Sequence, residues 1–403
     1  MKNKYLSTGI GLYVNYIVLG AASIILVQNT EFLADKWGVE TSTVLWVISA
    51  LGLGKILSII ISGFLSDKFG RKPFILLGIV SYILFFLGVL YSPTPGIAFG
   101  FTLLGGIANA FLDTGTYPAL IEGFPERPGF ATMLVGFAVS WGQFLFPLLL
   151  ALLVFQGQWL GYSFIIPAVL IALNGFYMKS RKFPTQIPDQ ILDAEESSSE
   201  AKIGVLKGKA KKSDWIIFLL YAYFCQATSY IVVTWLAPYA ADISGVSIAS
   251  SRIIMSLYGA GAILCVPLTY KLQNRFRNDS SIALMYSVVS VMAVILLLLF
   301  PTPVMCALFA MLIGIACEGG VMQLVLTIMT QFFPECKGRC TGLYYALTGV
   351  ATFSIPLMTG QLIQYGLNMI MLFDLFVAII FMILSLMIYQ RYKVVIENNR
   401  DIE

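Results

Sequence analysis

Histidine is absent from this 403-residue sequence, and charged residues are scarce. Asp, Glu, Lys and Arg together make up 11% of the chain, against roughly 25% in an ordinary soluble domain. Hydrophobic residues make up 58%, which is more than so few polar side chains can cover in a soluble fold. The composition therefore predicts an integral membrane protein. It excludes a soluble enzyme, a secreted disulfide-rich scaffold and a nucleic-acid-binding domain.

Motifs for catalysis and for bound cofactors are also missing. Cys336 and Cys340 have no second cysteine pair beside them at a metal-binding spacing. No phosphate-binding glycine loop or nucleophile elbow occurs. We therefore expect no enzyme activity, no metal or other cofactor, and no nucleic-acid partner. Because histidine is absent, any transported proton must move on a carboxylate, Lys, Tyr or Cys side chain.

Long apolar runs dominate the chain. A membrane span needs about 20 helical residues to cross a hydrocarbon core of ~30 Å. Twelve runs meet this length, near residues 8–30, 43–65, 74–92, 96–120, 131–155, 159–178, 215–238, 250–271, 281–300, 303–330, 341–363 and 367–390. We predict an all-α membrane protein with twelve transmembrane helices.

One connection between these runs is long and polar. Residues 180–213 are rich in Ser, Glu and Lys, which is typical of a flexible linker. This segment separates six runs from six. The predicted domains are a six-helix bundle over 1–179, a cytoplasmic linker over 180–213 and a second six-helix bundle over 214–403.

Positive charges are distributed unevenly in this topology. With the N-terminus inside, all of the 25 Lys and Arg residues except Lys36, Lys55 and Arg252 fall in cytoplasmic segments. An excess of Lys and Arg marks the cytoplasmic side of a membrane protein. We expect both termini in the cytoplasm and the chain, as a monomer, in the lipid bilayer of a bacterial inner membrane.

The two halves are related by an internal repeat. An offset of about 207 residues aligns 52–54 (Gly-Leu-Gly) with 259–261 (Gly-Ala-Gly). It also aligns Gly106 with Gly314, with a drift of one residue. Parallel repeats of this kind place a substrate site between the halves, near the middle of the membrane.

The loop after the second run carries a recognisable motif. Residues 63–73 read GFLSDKFGRKP, which resembles the G-x-L-x-D-r-x-G-r-k signature of the major facilitator superfamily. The resemblance, together with the twelve spans and the repeat, implies two pseudo-symmetric bundles that rock about a central site. The protein is then a secondary active transporter working by alternating access.

The motif predicts a conformational latch outside the substrate site. Six residues belong to it: Gly63, Asp67, Gly70, Arg71, Lys72 and Glu122. Gly63 would allow close helix approach, and Asp67 would cap a neighbouring helix N-terminus, where negative charge is favoured. The cations of the motif would pair with a carboxylate such as Glu122. We expect this latch to hold the outward-facing state.

Within that superfamily, residues 51–74, 106–126 and 140–147 resemble the bacterial inner-membrane permeases of the YdiM/YdiN type. That group is associated with small hydroxylated ring acids such as shikimate and quinate. It tends to carry Arg where this chain has Lys55, so the charge is kept but the two-pronged geometry of Arg is not.

Ionisable residues inside the spans are costly in a bilayer and indicate function. Lys55 lies near mid-membrane, about 18 Å from the cytoplasmic end of its helix, and can anchor a substrate carboxylate or pair with Asp113. Asp113 can carry a proton, or serve only as that partner. Glu318 occupies the equivalent region of the tenth run without an obvious basic partner, so it can carry a proton or be a hydrogen-bonded structural acid.

Polar and aromatic side chains within the spans complete the predicted site. Asn109, Asp113 and Tyr117 recur at i, i+4 and i+8 and share one helix face. The predicted substrate-binding set contains Lys55, Asn109, Tyr117, Asn15, Gln28, Asn29, Trp141, Gln143, Gln226 and Tyr230. Proton coupling is predicted for Asp113 and Glu318.

These residues favour proton-coupled symport of a small, hydroxylated organic anion. The alternative is a proton-driven exporter of drugs or metabolites. Such exporters often resemble G-x-x-x-G-P-x-x-G-G in the fifth span, and residues 136–147 do not follow that pattern. A membrane sensor is a further alternative, but no soluble signalling domain accompanies the spans.

Overall fold

The computed structural model describes residues 4–126, 128–184, 211–275, 278–318, 321–333 and 337–397. Most of the predicted linker therefore lies outside the described residues. In the first half the helices are α1 (Leu6–Gln28), α2 (Thr30–Trp37), α3 (Thr41–Phe69), α4 (Arg71–Tyr91), α5 (Pro95–Gly123), α6 (Pro128–Phe155) and α7 (Tyr162–Lys179). In the second half they are α8 (Lys212–Asp242), α9 (Ile248–Arg275), α10 (Asp279–Leu299), α11 (Pro303–Ile313), α12 (Val321–Phe332), α13 (Lys337–Leu362) and α14 (Leu367–Tyr392).

The described residues confirm the all-α membrane fold. They contain 12 helical segments that are long and apolar enough to cross a membrane. The tenth of these runs through α11, a π-helical turn over Gly314–Glu318, and α12.

A short helix not predicted from the sequence, α2, lies between the first two spans. Lys36 near its end donates a hydrogen bond to the Leu90 carbonyl, and the Trp37 indole donates one to the Ser92 carbonyl over 3.1 Å. It ends at Gly38, whose φ of 64° is the left-handed conformation that glycine adopts most easily. These contacts attach α2 to the far end of α4.

The start of α1 and the end of α14 lie on one side of the bundle, which we call the termini side. The start of α1 is joined to the end of α7, because the Thr8 hydroxyl donates to the Lys182 carbonyl over 2.8 Å. The end of α14 is joined to the start of α8 by an ion pair of 2.8 Å between Arg391 and Asp214. We call the other side of the bundle the opposite side.

Glycines allow close helix crossings within each half, and one such crossing occurs at repeat-related positions. A Cβ on Gly54 would lie 2.2 Å from the Leu103 carbonyl oxygen, and a Cβ on Gly261 would lie 2.2 Å from the Met311 carbonyl oxygen. No side chain fits at such distances. Each half therefore packs its second span directly against its fourth, as small residues allow in membrane proteins.

The same repeat governs the contact between the halves. A Cβ on Gly52 would lie 2.3 Å from the backbone nitrogen of Phe353, and one on Gly259 would lie 2.4 Å from that of Phe144. The halves thus meet along α3 with α13 and along α9 with α6. The site described next lies between these two contacts.

Candidate substrate site between the two halves

An ion pair joins α3 to α5 in the interior of the first half. Lys55 Nζ lies 3.4 Å from Asp113 Oδ2, and each side chain is 19% exposed. The crossing at Gly54 brings these helices together, and the nearby Gly106 would place a Cβ only 2.7 Å from the Lys55 backbone nitrogen. Two opposite charges in an apolar interior stabilise each other when they are this close.

Aromatic hydroxyls and rings surround this pair. The Tyr16 hydroxyl donates to Asp113 Oδ1 over 2.7 Å. The ammonium of Lys55 lies 5.6 Å from the ring centroid of Tyr345 on α13, within cation–π range. Tyr117 packs edge-on against Tyr16, with ring centroids 6.1 Å apart. These five residues form what we call the cation cluster, and Tyr345 connects it to the second half.

Glu318 is the centre of a second polar group, which we call the acid cluster. Its Oε1 accepts a hydrogen bond of 3.0 Å from the Gln143 amide on α6, in the other half. Its Oε2 accepts from the Ser229 hydroxyl over 3.1 Å and from the Tyr258 hydroxyl over 3.0 Å. All of these partners are neutral, so the carboxyl is held by hydrogen bonds rather than by a cation.

The backbone at Glu318 departs from the regular helix. The π-helical turn Gly314–Glu318 ends at this residue. Single π turns inside α-helices occur frequently at functional sites, since the extra residue redirects the side chains that follow. Gly314 also marks the tight crossing with α9, because a Cβ there would lie 2.0 Å from the Tyr258 carbonyl oxygen.

Several of the predicted binding residues lie in or beside these clusters. Gln143 binds Glu318 directly. Gln226 and Tyr230 lie on α8, three residues before and one residue after Ser229. Tyr230 is 5% exposed, and its hydroxyl has no hydrogen-bond partner among the described residues. Asn109 lies one turn before Asp113 and has a buried Oδ1 that is likewise unpaired in the described part of the chain.

Other predicted binding residues lie elsewhere. Asn15 accepts a hydrogen bond of 2.7 Å from Asn174 on α7, within the first half. Asn29 donates to the Ser163 hydroxyl over 3.1 Å at the far end of the same helix pair. Both side chains are fully buried between helices. Their amide groups bond to neighbouring side chains there, because buried polar groups need a partner in place of water. Neither joins the two clusters.

Trp141 and Gln28 are also separated from the clusters. Trp141 is 36% exposed, on a face of α6 that also exposes Met133, Leu145 and Leu152. An apolar exposed stripe of this kind is typical of a lipid-facing surface. Gln28 lies on the opposite side, where Arg252 from the second half donates to its backbone carbonyl and also to its side-chain oxygen.

The predicted set lacks four residues of the two clusters: Tyr16, Tyr345, Ser229 and Tyr258. Hydroxyl side chains are common in membrane helices and give no signal by themselves. Tyr258 could have been found, because it directly precedes the glycine motif 259–261 and stands where the first half has Leu51. A polar residue at only one of two repeat-related positions indicates a role beyond the shared scaffold.

The predicted latch residues are partly in contact. Arg71 at the start of α4 forms an ion pair of 3.2 Å with Glu122 near the end of α5. The Arg71 guanidinium also reaches the Ser66 hydroxyl over 3.5 Å, and that hydroxyl in turn donates to the Thr114 carbonyl over 3.0 Å. Gly70 separates α3 from α4 with a φ of 89°. The side chain of Asp67 lies outside the described residues.

Two latch predictions are wrong in detail. Lys72 donates to the carbonyls of Lys179 and Arg181, over 2.8 and 3.0 Å, so it binds the end of α7 instead of Glu122. Gly63 does not mark a close helix approach, because a Cβ there would meet its nearest neighbour, a methyl group of Thr114, at 3.9 Å. That distance is an ordinary van der Waals contact.

The fold and the paired clusters between two six-span halves define a transporter. Residues 10–352 match the Major Facilitator Superfamily, and the chain belongs to that family. It is 38% identical to the inner membrane transport protein YdiM of Escherichia coli, over 98% of this chain and 96% of that protein. This similarity confirms the permease group that the sequence segments indicated.

More distant proteins share the same fold. The chain is 26% identical to the 4-hydroxybenzoate transporter PcaK of Acinetobacter baylyi, over 80% of this chain and 76% of that protein. The crystal structure of a D-xylose-proton symporter superposes with a TM-score of 0.73 at 14% identity, covering 93% of this chain and 97% of that one. The protein is therefore a multi-pass inner-membrane transporter and not an enzyme.

Proposed function

We propose that this protein is a proton-coupled symporter for a small hydroxylated organic acid. The observation that carries the proposal is the cation cluster, in which one ammonium group lies between a carboxylate of the first half and an aromatic ring of the second. A substrate carboxylate can take the place of Asp113 beside Lys55, since both are anions that make charge-assisted hydrogen bonds. Substrate binding then connects the two halves.

The surroundings of Lys55 suit a ring acid that carries hydroxyl groups. The rings of Tyr117 and Tyr345 offer apolar faces, and the unpaired Oδ1 of Asn109, one turn before Asp113, offers a hydrogen-bond acceptor. The 4-hydroxybenzoate transporter among the relatives has an aromatic hydroxy acid in its name, which supports this class of substrate. Shikimate-like and quinate-like acids belong to the same class.

Proton coupling follows from an exchange of partners. When the substrate carboxylate binds Lys55, Asp113 loses its cationic partner and becomes free to take up a proton. Glu318 has only neutral partners, so it can accept a proton and release it again as those partners move. The hydrogen bond from Gln143 to Glu318 joins the two halves. The surroundings of the Glu318 carboxyl therefore change when the halves move relative to each other.

We propose that the termini side faces the cytoplasm, because it carries most of the Lys and Arg residues. The pair of Arg71 with Glu122 acts there as a conformational latch. The protein works as a monomer, with each half moving as one body around the central site.

Ligand binding tests this function directly. Thermal unfolding of the purified protein is measured with shikimate, quinate, 4-hydroxybenzoate and gentisate, and with 4-hydroxybenzamide as the neutral analogue. A ligand that binds only the folded state raises the unfolding temperature. We expect at least one acid to do so and the amide to have no effect. If the amide stabilises the protein as well as the acid does, the carboxylate is not what the site recognises.

A further inference from the structure

A strongly basic depression lies on the termini side of the first half, away from the substrate site. It has a volume of about 770 Å³. It is formed where α3 ends, α4 and α1 begin, and α7 ends. The lining residues include six cations: Lys4, Lys68, Arg71, Lys72, Arg181 and Lys182. We call this feature the basic depression.

No acidic residue lines the basic depression among the described residues. Arg71 is neutralised by Glu122, and Lys72 donates to two backbone carbonyls. Lys4, Lys68 and Lys182 are exposed and pair with no carboxylate in the described part of the chain. Among the described residues, Lys4, Lys68 and Lys182 thus present unpaired positive charges to one concave surface, where they would stabilise an anion.

Arg181 is held in place at the wall of this depression. Its guanidinium stacks 3.9 Å from the ring centroid of Tyr177. Its Nε is buried and has no hydrogen-bond partner among the described residues. The stacking on Tyr177 fixes the position of this positive charge at the wall of the depression.

The depression continues into a lipid-facing surface. Above it, α4 and α7 expose large apolar side chains at helical spacing. These are Leu77, Val80 and Leu84 on α4, and Leu170, Leu173 and Phe176 on α7. Phe176 is 77% exposed and only three residues from the end of its helix. An amphiphile can therefore place its anionic group among the cations and its acyl chains along these two helices.

We infer that the basic depression binds the phosphate groups of an anionic phospholipid, with cardiolipin as the best fit. Basic pockets beside membrane helices recognise anionic headgroups of this kind. A headgroup with two phosphates matches several separate cations better than a single phosphate does. The apolar stripes beside the depression allow the acyl chains of a bound lipid to lie along α4 and α7, a contact that a soluble phosphate cannot make.

The test uses purified full-length protein in a neutral detergent, with thermal unfolding measured as cardiolipin is added. The variant Lys68→Gln with Lys182→Gln removes two unpaired cations of the depression. The matched control, Lys271→Gln with Arg275→Gln, removes two exposed cations from the termini side of the second half, and Arg275 is the repeat counterpart of Lys68. We expect the depression variant to lose at least half of the cardiolipin-induced rise in unfolding temperature and the control to keep it.

Three outcomes would overturn the inference. The first is an equal loss in the control variant, which would reduce the effect to general surface charge. The second is an equal rise with phosphatidylethanolamine, which carries no net charge. The third is an equal rise with inorganic pyrophosphate, which would make the site one for soluble anions.

A second measurement remains informative if the double variant does not fold. Lys182→Gln alone changes an exposed side chain, while the backbone carbonyl that receives Thr8 is kept. Native mass spectrometry counts the cardiolipin molecules retained by this variant and by the native protein. We expect fewer retained lipids in the variant, and equal retention would contradict the site.

Discussion

Lys55 is the central residue of the proposed mechanism, because the Asp113 carboxylate and a substrate carboxylate can compete for its ammonium group. In the structure its partner is Asp113 at 3.4 Å, and Tyr16 supports the same carboxylate from α1. When a substrate anion replaces Asp113, the charge of Lys55 stays compensated. From the sequence, pairing with Asp113 and binding a substrate carboxylate are alternative roles for Lys55. In the proposed mechanism both roles occur, at different stages of one transport cycle.

Replacing Lys55 tests its role in recognition. Lys55→Ala removes a charge-assisted contact worth about 1.5–3 kcal/mol, so acid binding should weaken by roughly 10- to 100-fold. Lys55→Arg keeps the charge and should retain part of the affinity. Isothermal titration of the acid found by thermal unfolding measures both. If Lys55→Ala binds that acid as tightly as the native protein, Lys55 is only a structural partner.

The proposed proton-carrying role of Asp113 and Glu318 is tested by measuring proton-driven substrate accumulation and substrate exchange separately. Asp113→Asn and Glu318→Gln keep side-chain size and remove the titrating group. We expect proton-driven accumulation of the labelled acid in proteoliposomes to fall at least tenfold, while exchange of labelled for unlabelled acid persists. During exchange the transporter carries substrate across the membrane in both directions, so it can keep its bound proton and no net proton release is needed. Full accumulation in both single variants and in the double variant would remove these acids from the mechanism.

At the scale of helices, the crossing of α3 and α5 decides where the charged pair lies. Gly106→Ala would place a methyl group 2.1 Å from the Leu51 carbonyl oxygen, which the backbone can accept only by moving. Overpacking of this kind costs about 1–3 kcal/mol. We therefore expect a lower unfolding temperature and weaker acid binding in this variant.

Gly63→Ala is the matched control on the same helix pair. Its new methyl group meets nothing closer than 3.9 Å, and alanine favours the helix over glycine by up to about 1 kcal/mol. Its unfolding temperature should equal or exceed that of the native protein. A larger loss of stability in Gly63→Ala than in Gly106→Ala would mean that the close crossing has been assigned to the wrong glycine.

The latch joins the start of α4 to the end of α5, where Glu122 lies nine residues, or about 13.5 Å by helix rise, beyond Asp113. Arg71→Ala and Glu122→Gln should therefore slow transport at least fivefold and leave acid affinity within about twofold of native, in line with a hinge role. Turnover in proteoliposomes and titration calorimetry give the two values. Weakened binding with normal turnover would assign these residues to the site instead.

The sequence predicts helices better than it predicts side-chain partners. Apolar length is a property of each segment alone, so the twelve spans could be located, whereas α2 is short and half polar and gave no such signal. Lys55, Asp113 and Glu318 stand out because charge is costly in a bilayer. Asn15 and Asn29 look equally suitable in the sequence, but they are buried between α1 and α7, and only three-dimensional packing reveals this.

Over the whole molecule, the internal repeat relates the glycines at the helix crossings, but the charged residues inside the spans have no charged counterparts in the other half. Gly52 and Gly259 make equivalent contacts across the interface, which gives the halves matched surfaces for a rocking motion. Lys55 has Ala262 as its counterpart, so the cation belongs to the first half alone. Glu318 belongs to the second half. A substrate held by the first half can thus be sensed by an acid in the other.

Among the described residues, contacts between the halves lie at mid-depth and on the opposite side. There Arg252 from α9 binds the carbonyl that ends α1, and the Gln28 amide donates to the Val233 carbonyl of α8 over 3.4 Å. A cation at a helix C-terminus is favoured by the helix dipole. These bonds close the opposite side and have to break when the site opens towards it. The Arg71–Glu122 pair is formed in this same structure, so with the termini side in the cytoplasm, as proposed, this pair alone does not hold the outward-facing state.

Proton movement on substrate addition tests the central claim most directly. Proteoliposomes containing the native protein, with no imposed gradient, receive the acid identified by thermal unfolding while the pH of the weakly buffered medium is recorded. Symport predicts an immediate alkalinisation, because protons enter with the acid. It should be absent from protein-free liposomes and from the Asp113→Asn, Glu318→Gln double variant. Acidification of the medium, or acid uptake without any proton movement, would contradict proton-coupled symport.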